Sequence, residues 1–496
     1  MEGSAARRAG ALHGAGGGIA LRGHPPDAGR GGRGGGGAHH RRGVAAVSWR
    51  RALALASARP LDFTIQYPPS REYFRERFTS PPGAGVSLEA LKRVLLYVHV
   101  PFCEAKCFYC NFAVDLRKGA AVHARYVDTL CAQLERLDAA LPVGCTVPGI
   151  DIGGGTPTLL PPELLGRVLE ALRPWRRRCE GAWPVSIETT PRVAATDGER
   201  LAVLKAGGVD RVSMGLQSTN DETLAQVNRR AQRSLGERAV EALAAVGFRR
   251  VNVDLVFGLP GQTREHWWQD LERVTALPVD SVTTYDCLYR GAGRAMPRLT
   301  AVRPTPEDYG ALYDLAYEHL TANGFHAPYG SVNFSRHAGE TGTSPYFEGR
   351  LLDGLPYVGA GNYASSLVGS RWWFAPYEVD AYVEAVEGGA VLPEEDGYTL
   401  PDAERCAKYV LLSLNFGLID PVRFRAFAGA ALETMYGPQL EHARRVGWLR
   451  EEGGVYGVEP GRFRELPWIR ALFYAPGAVE WLSGRTPSPE ALRTTG

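Results

Sequence analysis

The sequence predicts an α/β fold: a parallel sheet of six consecutive βα units, open or partly closed into a barrel, with a small, mostly helical appendage behind it. Three observations point there. From about residue 93 short apolar runs alternate six times with amphipathic helical patterns. Glycines and polar residues gather just after the strands, and the alternation breaks near residue 330.

The units are read in order. "RVLLYVHV" has the composition of a strand, and "AAVHARYVDTLCAQLERLDAAL" has helical spacing. "GIDIGGG" precedes "PPELLGRVLEALRPW", and "PVSIETT" precedes "DGERLAVLKAGG". "RVSMGLQS" leads to "SLGERAVEALAAVG", "RVNVDLVFGLPG" to "REHWWQDLERVTAL", and "SVTTYDCLY" to "PEDYGALYDLAYEHLTANG". "TPED" puts proline and acids at a helix start, and glycine follows several helices. In such folds the chemistry lies beyond the C-terminal strand ends. The unusual residues fall there: the cysteines after strand 1, "GGGTP" after strand 2, "ETTP" after strand 3, "GLQS" after strand 4 and "GLPGQT" after strand 5.

The expected boundaries are a tail over 1–60, the barrel over 61–330, a cleft-covering lid over 331–374 and a mostly α accessory domain over 375–496. The tail, with "GRGGRGGGGAHHRRG" and only Glu2 and Asp27 as acids, is expected to be disordered, because a glycine-rich chain loses much entropy on ordering and has little to bury. Its arginines mimic a transit peptide, but an overextended start or an idle tail is the expected reading. The lid, "SVNFSRHAGETGTSPYFEGRLLDGLPYVGAGNYASS", is rich in Gly, Ser and aromatic residues.

Composition narrows the class. The 496 residues, 45% hydrophobic and 22% charged, suit a globular protein with a large core. A formal net charge of +2 makes no case for nucleic acid or a membrane surface, and no apolar stretch approaches the roughly 20 residues of a membrane span. Five of the eight cysteines are scattered, which is no disulfide framework, so a reducing cytoplasm is expected.

The other three, Cys103, Cys107 and Cys110, crowd into "CEAKCFYC". A structural zinc wants four protein ligands, commonly as two paired knuckles, and no second knuckle follows. An iron–sulfur cube accepts cysteine on its irons, so three thiolates leave one iron open. A chance cluster of buried thiols fits poorly, since the segment runs from a strand into a rim loop.

"CEAKCFYC" after a strand resembles the signature of the radical S-adenosylmethionine (SAM) superfamily. "YVHVPFC", "GGGTPTLL", "SIETTP", "RVSMGLQS" with "VNRR", and "NVDLVFGLPGQT" resemble its oxygen-independent coproporphyrinogen III oxidase-like group, strongly over 93–290 and weakly elsewhere. The resemblance implies a radical SAM partial (β/α)6, TIM-like barrel and a [4Fe-4S] cluster on Cys103, Cys107 and Cys110. SAM would bind the open iron and be cleaved by one electron to methionine and a 5′-deoxyadenosyl radical that abstracts hydrogen from the substrate. An electron donor such as flavodoxin or ferredoxin is implied. Gly153, Gly154, Gly155 and Thr156 would meet SAM's amino group, glycine letting backbone approach without a Cβ. Glu188 would hold its ribose or ammonium. Gln217, Arg229 and Asp254 match further SAM positions, an Arg suiting a carboxylate and Asp or Gln suiting ribose hydroxyls. Tyr97 matches a position near SAM, and of Phe108 and Tyr109 one would shield the cluster and the other stack on adenine.

The sequence departs from the group at two places. Coproporphyrinogen oxidases carry a fourth cysteine two residues after the third, where this chain has Phe112. Haem-chaperone relatives also lack that cysteine but carry a His-Asn pair before Tyr-Trp, where this chain has "TGTSPYFEGR". A third branch, the methyltransferases and cyclopropanases of natural-product pathways, also lacks the fourth cysteine and is thought to bind two SAM molecules. The aromatics of "PYF", "NYASS" and "RWWFAPY" suit a flat ligand. The expected reaction is therefore methyl or methylene transfer to an aromatic or heteroaromatic small molecule, with a coproporphyrinogen oxidase-like enzyme or haem chaperone as the alternative.

Overall fold

Two kinds of residue alternate along the strands, and that alternation decides the architecture. In β1 (Leu95–Val100), Leu96, Val98 and Val100 face one way and Tyr97 and His99 the other. Adjacent strands keep the division in register. Val98 sits beside Ile152 of β2 (Ile150–Gly154), then Ile187 of β3 (Val185–Thr189), Val212 of β4 (Arg211–Gln217) and Val251 of β5 (Arg250–Phe257). Tyr97 sits beside Asp151, Ser186 and Arg211. The apolar rows are buried under the flanking helices. The polar rows line the inner face. A parallel sheet covered on both faces by apolar layers would read as unbroken hydrophobic runs, so the polar face belongs to a lumen.

These relations come from a computed structural model that describes residues 41–58, 71–83, 86–229, 233–287, 289 and 303–484. The strands β1 to β6 (Ser281–Asp286) are neighbours in sequence order and all parallel, as six consecutive right-handed βα units require. β7 (Asn333–Ser335) adds antiparallel to β6. On the other flank β8 (Tyr357–Ala360) joins β1 in parallel, and β9 (Ser365–Val368), β10 (Arg371–Phe374) and β11 (Asp396–Thr399) extend it as an antiparallel meander. β7 and β11 remain edges, so the barrel is partial. "TPED" closes a capping box at the helix Pro306–Ala322: Thr305 and Asp308 satisfy each other's backbone N–H groups.

The expected lid behaves otherwise. Residues 331–374 supply β7 to β10 and the helix Pro345–Leu351; of their large aromatics Tyr346, Trp372 and Trp373 are buried, and Phe347, Tyr363 and Phe374 are half-buried. Trp372 and Trp373 point to opposite faces of β10, and both faces are covered, so these two rings are core and not an aromatic cover. The helix Pro345–Leu351 lies under the N-terminal ends of the strands, its first backbone atoms pressed against Gly149 just before β2. It forms the floor of the lumen.

Part of the expected tail is also ordered. Residues 41–58 form a helix that packs on the C-terminal helices Leu466–Leu472 and Pro476–Gly484, because Trp49, Ala52 and Ala56 recur at helical spacing and are buried. Residues 1–40, 59 and 60 lie outside the described residues. The C-terminal part is mostly helical, with one small antiparallel sheet of β12 (Leu418–Ile419), β14 (Val455–Val458) and β13 (Leu449–Glu452). Among the described residues no helix is long and apolar enough to cross a membrane.

Candidate cofactor site at the barrel mouth

The cysteine loop leaves β1 at Val100 and is tied down by backbone. Cys103 N–H donates to Asp115 O (3.0 Å), Asp115 N–H to Pro101 O (2.9 Å), and Cys110 N–H to Cys107 O (3.1 Å). The "VNRR" segment after β4 holds its far side: Phe108 N–H donates to Val227 O (3.0 Å) and Asn228 Nδ2 to Lys106 O (2.9 Å). Phe108 and Tyr109 both turn inward against Val227, Val256, Leu259, Cys287 and Tyr289. Phe112, where the oxidases have their fourth cysteine, is 47% exposed.

The three thiols are half-buried. Thr156 Oγ1 is 3.8 Å from Cys103 Sγ, and Arg229 Nη1 donates to Cys107 Sγ at 3.6 Å. Burial pushes the Cys103 thiol up to about 11 and that of Cys110 upward as well. Such thiols become thiolates when a cation binds them. The three sulfurs are spread along the turn: among the described residues no three His, Cys, Asp or Glu converge as ligands of a single ion. A tetrahedral zinc needs gathered donors, whereas a cube presents a separate iron to each thiolate.

Beside the loop, "GGGTP" fits backbone against its neighbours. Gly154 has φ +112°, and a Cβ there would lie 2.5 Å from the His99 ring; one at Gly155 would lie 2.5 Å from Pro101 O. Gly154 N–H donates to Glu188 Oε2 at 3.1 Å. The close surroundings and the charge of Asp254 push the Glu188 carboxyl up to about 8. Yet that carboxyl opens onto the lumen and is exposed, so water offsets part of the push. His99 is neutral, held down to about 4 by burial, with Nε2 3.0 Å from Ala113 O and Nδ1 3.2 Å from the Tyr97 hydroxyl. Tyr97 is thereby fixed, pointing inward.

Around the wall, Gln217 ends β4 at φ +72°, a conformation a side chain holds only under local constraint. Arg229 donates to Gly215 O as well as to Cys107. Below them lies a polar layer of which the sequence pointed only to Asp254. Asp254 accepts from Asn252 Nδ2 (2.8 Å) and Ser213 Oγ (3.2 Å), while Arg211, 5% exposed, donates to Ser186 Oγ (3.1 Å). Arg211 faces Asp151, Asp254 and Glu188, and its charge works against the burial that raises all three carboxyls. The signal lay in the strands themselves: polar residues or glycine alternate with apolar ones, as in Asp151 and Gly153, Ser186 and Glu188, Arg211 and Ser213, and Asn252 and Asp254. Tyr285, inward on β6, is still 39% exposed, so the lumen is open to solvent.

The structure thus gathers the predicted residues Gly153, Gly154, Gly155, Thr156 and Glu188 at the mouth near Cys103, and Gln217, Arg229 and Tyr109 near Cys107; Tyr97 packs lower, with its ring 5.9 Å from that of Tyr346, and Asp254 lies in the polar layer of the wall. A three-cysteine loop at the strand ends of a partial parallel barrel is the arrangement of an iron–sulfur protein with its chemistry at the barrel mouth. Comparison with known proteins narrows the class. The radical SAM superfamily pattern matches residues 97–274. The chain is 28% identical over 397 residues to the oxygen-independent coproporphyrinogen III oxidase of Cereibacter sphaeroides, covering 74% of this chain and 86% of that protein. It is 32% identical over 306 residues to the heme chaperone HemW of Mycobacterium tuberculosis, covering 60% of this chain and 75% of that one. The solved Escherichia coli coproporphyrinogen III oxidase, HemN, shares the fold: TM-score 0.65, 21% identity, 82% of this chain and 99% of that one. The chain belongs to the radical SAM superfamily, in its HemN/HemW-like group.

The cofactors of that superfamily are a [4Fe-4S] cluster and SAM, and the site fits both. Three half-buried thiols on one loop suit three irons, and the Gly153–Gly155 cradle, whose Cβ directions are taken up by Glu188, His99 and Pro101, leaves bare backbone for a ligand lying close to it. When bound and reduced, the pair supplies a carbon-centred radical. The chain's part is to hold and enclose: Arg229 steadies Cys107, His99 fixes Tyr97, and the Gly154 amide orients Glu188.

Proposed function

We propose that this radical SAM enzyme acts on a porphyrin-type macrocycle, as its coproporphyrinogen oxidase and haem-chaperone relatives are named for doing. The observation that carries this reading is the reach of the likeness. Cofactor binding alone would explain similarity over residues 97–274, but the likeness to the oxidase spans 397 residues and so extends well beyond that segment. Methylene transfer to an aromatic, the reaction expected from the sequence, loses the modest support drawn from the lid aromatics where these are core, as Trp372 and Trp373 are. Phe112 in place of the fourth cysteine counts against the oxidase branch alone, since the haem-chaperone relatives lack that cysteine too; the absence of a His-Asn pair from "TGTSPYFEGR" keeps methylene transfer as a second reading.

One experiment separates the readings. Anaerobically reconstituted protein is given a reductant, methyl-labelled SAM and either coproporphyrinogen III or haem, and the products are weighed by mass spectrometry. The porphyrin reading expects 5′-deoxyadenosine with loss of CO₂ from coproporphyrinogen, or stoichiometric haem binding, with label only in methionine. A protein that ignores both tetrapyrroles and passes label to an aromatic substrate refutes it. Flavodoxin or ferredoxin is the proposed electron source, tested by replacing the chemical reductant.

A further inference from the structure

Below Tyr97 the lumen ends on a floor that no cofactor role explains. Tyr357 of β8 stands beside Leu95, two residues below Tyr97, and so one inward layer or roughly 7 Å deeper. The guanidinium of Arg350, from the helix Pro345–Leu351, stacks over the Tyr357 ring at 4.5 Å, and its Nη1 reaches the Tyr346 hydroxyl at 3.4 Å. Asp151, level with Tyr97, accepts from Ser344 Oγ at 2.7 Å. Three polar atoms here are buried without a hydrogen-bond partner: Arg350 Nε, the Tyr357 hydroxyl and Asp151 Oδ1. Tyr357 is 1% and Asp151 7% exposed. Each orphaned group of this kind loses the hydrogen bond it had with water and regains it only with a partner. Arg350 and Tyr357 touch directly and Asp151 feels the Arg350 charge, so their unused atoms lie together.

We infer that this floor binds a carboxylate of the substrate, with Arg350 Nε–H and the Tyr357 O–H as its donors. The chemistry is that of charge-assisted pairing: a planar cation and a phenol offer two hydrogens to two oxygens of one anion. Asp151 leaves one oxygen for an N–H of the same ligand. Its negative charge is set against Arg350 and against Arg211, which Glu188 and Asp254 share. Burial pushes the Asp151 carboxyl up to about 6, which further eases the approach of an anion. The inference rests on the reading that substrate occupies the lumen, but it does not require that substrate to be a porphyrin.

The test uses the full chain with its cluster reconstituted and SAM present, under anaerobic conditions. Coproporphyrin III and quinoline-2-carboxylate, a small aromatic acid, are each titrated beside their methyl esters. At least one acid should bind about tenfold or more tighter than its ester. Arg350→Met should erase that preference, and Tyr357→Phe, which removes one oxygen and keeps the ring, should reduce it about threefold. Arg350→Lys keeps the charge and should retain part of it. Ester affinity should be unmoved throughout. Acids and esters binding alike, variants weakening both equally, or neither acid binding would each overturn the inference. Should coproporphyrin III fail while quinoline-2-carboxylate shows the Arg350-dependent preference, the porphyrin reading falls and the floor stands. Coproporphyrin III binding no better than its ester, with the quinoline pair also alike, leaves the porphyrin reading standing and removes the floor.

Discussion

Arg211→Met tests whether the lumen is an electrostatic unit. Arg211 is buried, and it is the cation shared by Asp151, Glu188 and Asp254. Removing one member of a buried charge set costs about 3–5 kcal/mol, because the remaining charges lose their compensation. The cost should depend on pH. Without Arg211 the three carboxyls rise further, so the folded variant holds more protons than the unfolded chain between the ordinary carboxylate range, near 4, and pH 8. Stability then falls as pH rises through that window. The wild type already has this sign, since Asp151 is raised to about 6 and Glu188 to about 8, and the variant should exaggerate it. Melting temperatures at pH 5.5 and 8.5, wild type beside variant, read the effect. In a chain this long 1 kcal/mol moves the midpoint by about 1–2 °C, so a drop of roughly 4–8 °C is expected at pH 8.5 and less than half of that at pH 5.5. A variant melting with wild type at both pH values, or equally lowered at both, would show that the three acids do not lean on Arg211.

Other expectations follow from single contacts. Cys103→Ala, Cys107→Ala and Cys110→Ala should each abolish the brown iron–sulfur absorbance and SAM cleavage. Cys131→Ala, on the helix Ala120–Ala140, should leave both nearly intact; equal damage from all four would erase the distinction between ligand and bystander. Gly155→Ala puts a methyl 2.5 Å from Pro101 O, where backbone cannot retreat cheaply. It should weaken SAM binding at least about tenfold while far-ultraviolet circular dichroism stays native; unchanged affinity in equilibrium dialysis counts against the cradle. Lys408 is buried over Trp372 at 4.6 Å, and burial, with Arg350 nearby, lowers it to about 7. A depressed lysine makes the fold less stable as pH drops from 10.5 to 7, by at most about 5 kcal/mol. Its contact with Trp372 returns about 1–2 kcal/mol. Lys408→Met should therefore raise the melting temperature at pH 7 and flatten its rise between pH 7 and 10, and a lower melting temperature would contradict this.

How much was legible in the sequence differs from one part of the molecule to another. The six βα units and the cysteine loop were readable because their signals are local: strand and helix periods, helix caps, and ligand spacing within eight residues. The floor was not. Arg350 and Tyr357 meet Asp151 across some two hundred residues of chain, and only the pairing of β8 with β1 brings them together. The aromatics of 331–374 misled for a related reason. A run such as "RWWF" reads alike as a cover and as a buried strand, and β10's neighbours, β9 and β11, decide between them.

By itself the sequence determined the class of chemistry, because three thiols and a glycine cradle at successive strand ends need only local spacing to be recognised. Tertiary structure decided what lies beneath that chemistry: a polar, water-open lumen whose charges balance one another, and a floor with unpaired donors. Charge compensation and burial are sums over every neighbour in space, and a linear order of residues does not contain them.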